Sequence, residues 1–262
     1  MNSPVLIVER PDDATAIVTL SRPERRNALT IELMELLCGT LKSLAAEPGR
    51  RVVILRGAGP AFCAGLDLDE AADAGLAERS GNCVAETFQI LATSPLVTVA
   101  AAHGAAYAGG AGLLACCDFV VAADNLRICF PEVRRGLVPA LAATAMGLRL
   151  READLRQLVL LGEPVDARRA LCIGLVDGVV APERLMAEAQ DIAATVLKGA
   201  PEAVCQTKRL LGELRRADPA TLFSRALDVH KQARLSEEAR EGIAAFRDKR
   251  EPSWAGKGRV GQ

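Results

Sequence analysis

Three stretches of this chain hold residues whose types and spacing could do chemistry. Two are glycine-rich turns, Ala61-Phe62-Cys63-Ala64-Gly65-Leu66-Asp67-Leu68 and Gly104-Ala105-Ala106-Tyr107-Ala108-Gly109-Gly110-Ala111-Gly112. Each follows a short β-branched run, Val52-Val53-Ile54-Leu55 and Val97-Thr98-Val99, and each precedes a segment that reads as helix. Two strand-to-helix turns with bare backbone can aim two N–H groups at one point, which is what an oxyanion hole needs. The third stretch is Phe130-Pro131-Glu132-Val133, followed by Leu137 and Val138. Among such apolar neighbours a carboxylate has its pKa raised by desolvation, which suits a general base. A solvated glutamate at a helix start, favoured by the helix dipole, gives the same sequence.

Read singly, the turns have plainer uses. The first also fits an ordinary strand-to-helix link with Asp67 as a helix cap, and the second a tight helix-packing site. A dinucleotide fingerprint does not fit, because Gly110-Ala111-Gly112 has no third glycine at the right offset. A P-loop lysine is absent as well. Cys63 lies inside the first turn, but no adjacent residue would activate it as a nucleophile.

The elements that must position these residues follow from periodicity and turn signals. Val5–Glu9 and Thr15–Leu20 read as a strand pair around the turn Pro11-Asp12-Asp13. Thr30 can cap a helix to about Ala46, since Ile31, Met34, Leu37, Leu41 and Leu44 recur at helical spacing before Pro48-Gly49. Val52–Arg56, Val97–Ala101 and Asp118–Ala122 read as strands. Helices are expected over Glu70–Ala77, over Cys83–Ala92 and from the second turn to about Cys117. The stretch Asp69–Gly81 is small, charged and weakly periodic, which predicts a mobile or variable loop. This alternation argues for an α/β fold with a mainly parallel sheet. Beyond it the chain turns helical: Leu141–Leu150, Leu155–Leu161 and Ala167–Leu171, an extended Leu175–Val180, then Pro182–Leu197, Pro201–Leu214, Pro219–Arg234 and Ser236–Arg250. Proline opens three of these, its favoured place at a helix start.

The bulk numbers exclude several classes. At 262 residues and 50% hydrophobic the chain can bury a large core, and with 3% aromatic residues aliphatic side chains must fill it. A net charge of −1 gives no electrostatic case for nucleic acid or an anionic membrane. Cys38, Cys63, Cys83, Cys116, Cys117, Cys129, Cys172 and Cys205 form no C-x-x-C pair, and only two histidines accompany them, so no metal site is expected. Most of these cysteines lie in apolar runs, as reduced thiols of a cytoplasmic protein do. No signal-peptide pattern opens the chain, and no apolar run reaches the roughly 18 residues that span a bilayer.

Further motifs join the turns. Thr19-Leu20-Ser21-Arg22-Pro23 and Asn27-Ala28-Leu29 precede them, and Ser94-Pro95-Leu96 leads into the second. Cys117-Asp118, Pro131-Glu132-Val133, Gly136-Leu137-Val138-Pro139 and Glu241-Gly242-Ile243-Ala244-Ala245-Phe246-Arg247-Asp248-Lys249-Arg250 follow. In this order and spacing, over nearly the whole chain, the set resembles the crotonase superfamily, the enoyl-CoA hydratase/isomerase family. The resemblance implies a ββα spiral core, here residues 1–195, and a helical C-terminal region, 196–262, that mediates homotrimers, often paired into homohexamers. It implies an acyl-CoA substrate, with coenzyme A as part of the substrate and no separate cofactor. It puts the two oxyanion N–H groups at Leu66 and Gly109 and the acid/base at Glu132. Substrate and CoA contacts fall to Ala64, Leu66, Asp67, Leu68 and Gly109, with Phe246 and Lys249 reaching a neighbouring subunit's CoA. Arg25 and Arg26 are candidate phosphate cations. His103 stands where the family often has asparagine and reads as a packed turn residue.

One position departs from the pattern. Hydratases of the family carry a second glutamate where this chain has Gly112. Adding water needs a proton for carbon and a water activated for attack, whereas moving a double bond from the 3 to the 2 position needs one base. The reading therefore leans to Δ3,Δ2-enoyl-CoA isomerase. A 2-enoyl-CoA hydratase using Asp69, Glu70, Asp73 or a bound water instead, and a non-catalytic acyl-CoA-binding protein, are the alternatives.

Overall fold

Strands that are apolar on both faces need cover on both sides, and this chain builds one large sheet of that kind. The computed structural model describes residues 4–73, 75–213, 227 and 236–254. Its strands are β1 (Leu6–Glu9), β2 (Thr15–Leu20), β3 (Val52–Gly57), β4 (Val97–Ala102), β5 (Ala105–Tyr107), β6 (Phe119–Ala123), β7 (Arg127–Cys129), β8 (Val165–Asp166) and β9 (Gly178–Val180). Six of them form a sheet in the order β1-β2-β3-β4-β6-β9, parallel except for the β1–β2 pair. The other three, β5-β7-β8, make a small second sheet. The expected α/β class and mainly parallel sheet are present.

Side-chain alternation along the strands divides the core in two. One face of the large sheet presents Ala16, Val18, Leu20, Val53, Leu55, Ala100, Ala102, Val120 and Ala122. Against it pack α1 (Ile31–Ala46), α3 (Ala77–Thr93) and α4 (Gly109–Cys116), with the one-turn α2 (Leu68–Ala71) leading into α3. The Thr30 hydroxyl accepts the Leu33 N–H and caps α1, and Ile31, Met34, Leu37, Leu41 and Leu44 form its buried stripe as expected. Helices α5 (Ala140–Gly147), α6 (Glu152–Leu161) and α7 (Ala167–Cys172) extend this side. The opposite face, Ile17, Val52, Ile54, Val97, Val99, Ala101, Val121 and Ala123, is covered by Leu185, Ala189 and Ala193 of α8 (Leu185–Leu197). Helices α9 (Pro201–Glu213) and α10 (Glu237–Arg247) follow. No helix among the described residues is long and apolar enough to cross a membrane.

Three expectations need correction or completion. Glu70–Ala77 is not one helix: α2 ends at Ala71, and the Asp73 carboxylate accepts the Gly75 N–H in a local turn that breaks it. Nor is Asp69–Gly81 a loop throughout, because α3 begins at Ala77 and buries Ser80 one turn before Cys83 and Val84. The second glycine turn contains a strand, β5, before its helix starts at Gly109. The helix expected over Pro219–Arg234 lies, Leu227 apart, outside the described residues.

Candidate active site

The first turn is held on three sides by backbone pairing. Cys63 bridges to Ala106 of β5, with its N–H on Ala105 O at 3.0 Å and its carbonyl accepting the Tyr107 N–H at 3.0 Å. Ala64 donates to Arg26 O at 2.9 Å. A short bridge to Leu29 takes the Gly65 carbonyl and the Asp67 N–H, at 2.8 and 2.9 Å. In such a parallel bridge the N–H of the intervening residue faces the other way. Leu66 is that residue, and its N–H has no acceptor among the described residues. Gly65 makes the geometry possible with φ +94°, a region unfavourable for a side chain. Beneath the turn Asn27, fully buried at φ 55°, donates to the carbonyls of Ala58, Ala61 and Phe62 and accepts the Arg22 N–H.

The second turn meets the first. Ala108 donates to Cys129 O at 2.8 Å and sits at φ 49°, ψ −117°, a strained conformation for an alanine. That ψ orients the following peptide, whose N–H belongs to Gly109. As the first residue of α4, Gly109 has no intrahelical acceptor for this group. A methyl built on Gly65 would stand 3.5 Å from the Gly109 nitrogen, and one built on Gly109 would stand 4.0 Å from the Leu66 nitrogen. The two donors therefore share one small region at the N-terminus of a helix, where negative charge is stabilised.

Strand register carries Glu132 to the same end of the strands. Cys63, Ala106 and Ile128 lie in one row across three adjacent parallel chains. Leu66 and Gly109 come three residues after that row, and Glu132 four residues after it. All three thus leave the strands at their carboxyl ends. Glu132 is in a 3-10 turn, Pro131–Arg135, opened by proline. Its Oε2 is buried and has no hydrogen-bond partner among the described residues. Desolvation pushes its pKa above the ordinary 4.5, against smaller opposing effects of its own N–H and the Arg135 charge.

Opposite α4 the space at position 112 is filled. A Cβ on Gly112 would lie 2.2 Å from Cζ and 2.6 Å from Cε2 of Phe88, a buried residue of α3. The carboxylates considered as replacements are engaged elsewhere. Asp69 is exposed and paired with Arg25, Glu70 accepts the Ile31 N–H at the start of α1 at 2.8 Å, and Asp73 accepts the Gly75 N–H.

The remaining sequence candidates are placed as follows. Asp67 is buried, accepts from Arg22 and Arg25 and caps α2. Burial opposes its ionisation, but the Arg22 and Asp69 hydrogen bonds outweigh that and hold its carboxyl below the usual value. Arg25 is thereby tied to Asp67 and Asp69, whereas Arg26 is exposed with no ion pair among the described residues. Ala64 is half-buried at the turn and Leu68 exposed beside it. His103 Nε2, just after β4, lies 2.8 Å from Gly59 O in the segment that follows β3. Burial pushes the Cys63 thiol up to about 12, so it carries no thiolate. Lys249 is exposed beyond α10, and no hydrogen bond or ion pair among the described residues ties it to Glu132. The Phe246 side chain lies outside the described residues. Sequence reasoning missed Phe88 and the bracing roles of Asn27 and Arg22. Asn27 did leave a signal, a polar residue leading straight into Ala28-Leu29, but Phe88 left none.

Known proteins share this arrangement of chain. The enoyl-CoA hydratase/isomerase family profile matches residues 11–257. A Thermus thermophilus protein, provisionally named as an enoyl-CoA hydratase, is 38% identical over 242 residues, covering 90% of this chain and 96% of its own. An enoyl-CoA isomerase/hydratase of Mycosarcoma maydis is 30% identical over 279 residues, covering 98% of this chain and all of its own (100%). The crystal structure of an enoyl-CoA hydratase from Mycobacterium smegmatis superposes with a TM-score of 0.92 at 28% identity, over 96% of this chain and 99% of that one. With profile, relatives and fold in agreement, this chain belongs to the enoyl-CoA hydratase/isomerase family.

Proposed function

We propose that this chain is an acyl-CoA enzyme that shifts a double bond, converting 3-enoyl-CoA to 2-enoyl-CoA. The thioester carbonyl oxygen sits on the Leu66 and Gly109 N–H groups. Glu132 takes a proton from C2, and negative charge builds on that oxygen as the enolate forms. The two donors stabilise it without reorganising, and losing one typically costs about 3–4 kcal/mol. The same carboxyl then returns its proton to C4, which leaves the double bond between C2 and C3. The observation that carries this reading is an orphaned carboxylate oxygen: among the described residues Glu132 has a buried, unpartnered Oε2, and Asp69, Glu70 and Asp73 are each held by other groups.

Hydration of 2-enoyl-CoA is the second reading, supported by the hydratase names of the Thermus and Mycobacterium relatives. Acyl-CoA binding without turnover is a third, which Glu132 argues against. Incubation with 3-enoyl-CoA and, separately, 2-enoyl-CoA distinguishes them. Conversion of the 3-enoyl ester alone, lost in Glu132→Gln, is the expected result. Efficient water addition to the 2-enoyl ester by the unaltered chain overturns it, and tight binding with no turnover of either ester favours the third reading.

The proposal extends to the assembly. A C-terminal region over 196–262 would form cytoplasmic homotrimers or paired trimers and bring Phe246 and Lys249 to a neighbour's CoA, with Arg25 or Arg26 near its phosphates. Light scattering should then give three or six times the 27.7 kDa chain mass.

A further inference from the structure

The contact between Phe88 and Gly112 is one that no part of the proposed chemistry uses. Gly112 follows Gly109 by one helical turn, so both positions lie on the same side of α4. The Cζ, Cε2 and Cε1 atoms of Phe88 lie 2.2, 2.6 and 3.2 Å from where a Cβ at Gly112 would stand. No side chain of any length can be seated at position 112 while the ring is there.

The ring is held firmly. Phe88 is 6% exposed, between fully buried Thr87 and Leu91 on α3. The Thr87 hydroxyl bonds to Cys83 O at 2.7 Å and approaches Cys38 Sγ of α1 at 3.3 Å, which fixes the turn that carries Phe88. A phenyl ring has no hydrogen-bonding atom to offer. A bound water needs two or more polar partners, and the ring supplies none.

We propose that Phe88 determines which reaction the site performs. It fills the position from which a second proton-carrying side chain would act, and it denies a water molecule the partners needed to attack C3. The enolate chemistry at Leu66, Gly109 and Glu132 then ends in proton return to C4. In the excluded reaction, water gives its oxygen to C3 and a proton to C2, and the C2–C3 double bond is consumed. This inference rests on the isomerase reading for the wild-type reaction, but its test has a separate readout.

The experiment measures hydration of a 2-enoyl-CoA, as loss of enoyl absorbance and gain of 3-hydroxyacyl-CoA by mass. The proteins compared are the wild type, Gly112→Glu, Phe88→Ala with Gly112→Glu, and Phe88→Leu with Gly112→Glu. Gly112→Glu alone is expected to unfold at lower temperature and to gain no hydration. A Phe88 double variant is expected to hydrate at least tenfold faster than both the wild type and the single variant. Equal hydration by Gly112→Glu alone overturns the proposal, as does a folded, acyl-CoA-binding double variant with no gain. Failure of both double variants to fold also overturns it, because the ring would then serve packing alone. A wild type that does not turn over 3-enoyl-CoA sinks the isomerase reading instead and leaves the hydration comparison intact.

Discussion

A carboxylate oxygen cut off from donors is costly to ionise, and Glu132 keeps one. The consequence has opposite signs for activity and stability. As the proposed base, Glu132 would work ionised, so kcat/KM should fall as pH drops through its raised pKa, on a limb lying above the ordinary 4.5. The folded chain holds this proton more tightly than the unfolded chain does. The associated stability is therefore present below 4.5 and lost as pH rises through the raised value. Glu132→Gln should lower kcat by roughly 10²- to 10⁴-fold and flatten both profiles. It should not lower the melting temperature at neutral pH. Rate–pH and melting–pH curves of the two proteins check this, and a wild-type acid limb at or below the ordinary carboxylate range would contradict it.

Between elements, the site depends on two turns pressed together without side chains. Besides the approach at Gly65, a Cβ on Gly110 would lie 2.3 Å from Cys63 O, backbone that cannot swing aside. Gly65→Ala would add a methyl 2.8 Å from Tyr107 O at φ +94°, pushing the Leu66 and Gly109 donors apart. It should cost about 1–3 kcal/mol of stability from overpacking and about 10²-fold or more in kcat from a misplaced donor. Denaturant titration and single-turnover rates test the pair, and a kcat within about threefold of wild type would refute the shared-donor geometry. Asn27→Ala acts one layer below. It strips partners from the carbonyls of Ala58, Ala61 and Phe62 and from the Arg22 N–H, and should cost roughly 1–3 kcal/mol, read as a lowered denaturation midpoint. This is also the scale at which the sequence stops being legible. Helix α1 announces itself by Thr30 and its apolar stripe, and the large sheet by continuous apolar runs. Strands β5, β7 and β8 have three, three and two residues, too few to show a period, yet the β5–β7 register sends Gly109 and Glu132 off the same end of their strands. The strained Ala108 gives no sign where a glycine would have, and the fit of Phe88 to Gly112 exists only once α3 lies on α4. The likeness to known enoyl-CoA enzymes pointed to Leu66, Gly109 and Glu132 without the register that sets them at one end of the strands.

Across the whole molecule, the large sheet has a proposed chemical end and an anchoring end. The turns bearing Leu66 and Gly109 leave its parallel strands at their carboxyl ends, where open α/β sheets bind ligands. The C-terminal helices are fastened at the amino ends. Arg51, just before β3, donates to Leu197 O and Gly199 O at 3.1 and 2.7 Å. Glu238 of α10 accepts the N–H groups of Glu202 and Ala203 at the start of α9. Lys208 of α9 reaches Leu96 O and Asp118 Oδ2, both at 2.6 Å, immediately before β4 and β6. Asp118 Oδ2 also accepts the Thr98 N–H and hydroxyl, so a single carboxylate oxygen joins two strands and a helix. Lys208→Met keeps the aliphatic stem and removes the ammonium. Asp118 retains its Thr98 donors, so the loss should stay near 1–3 kcal/mol, below the roughly 3–5 kcal/mol of breaking a fully buried pair. Trypsin should cut faster at Lys198 and Arg209 on either side of the freed contact. Turnover of 3-enoyl-CoA should remain within about threefold of wild type, because the anchor and the donors lie at opposite ends of the strands. A variant that loses turnover in step with stability would show instead that α9 and the two glycine turns unfold as one unit, and that the ends of the sheet are not independent.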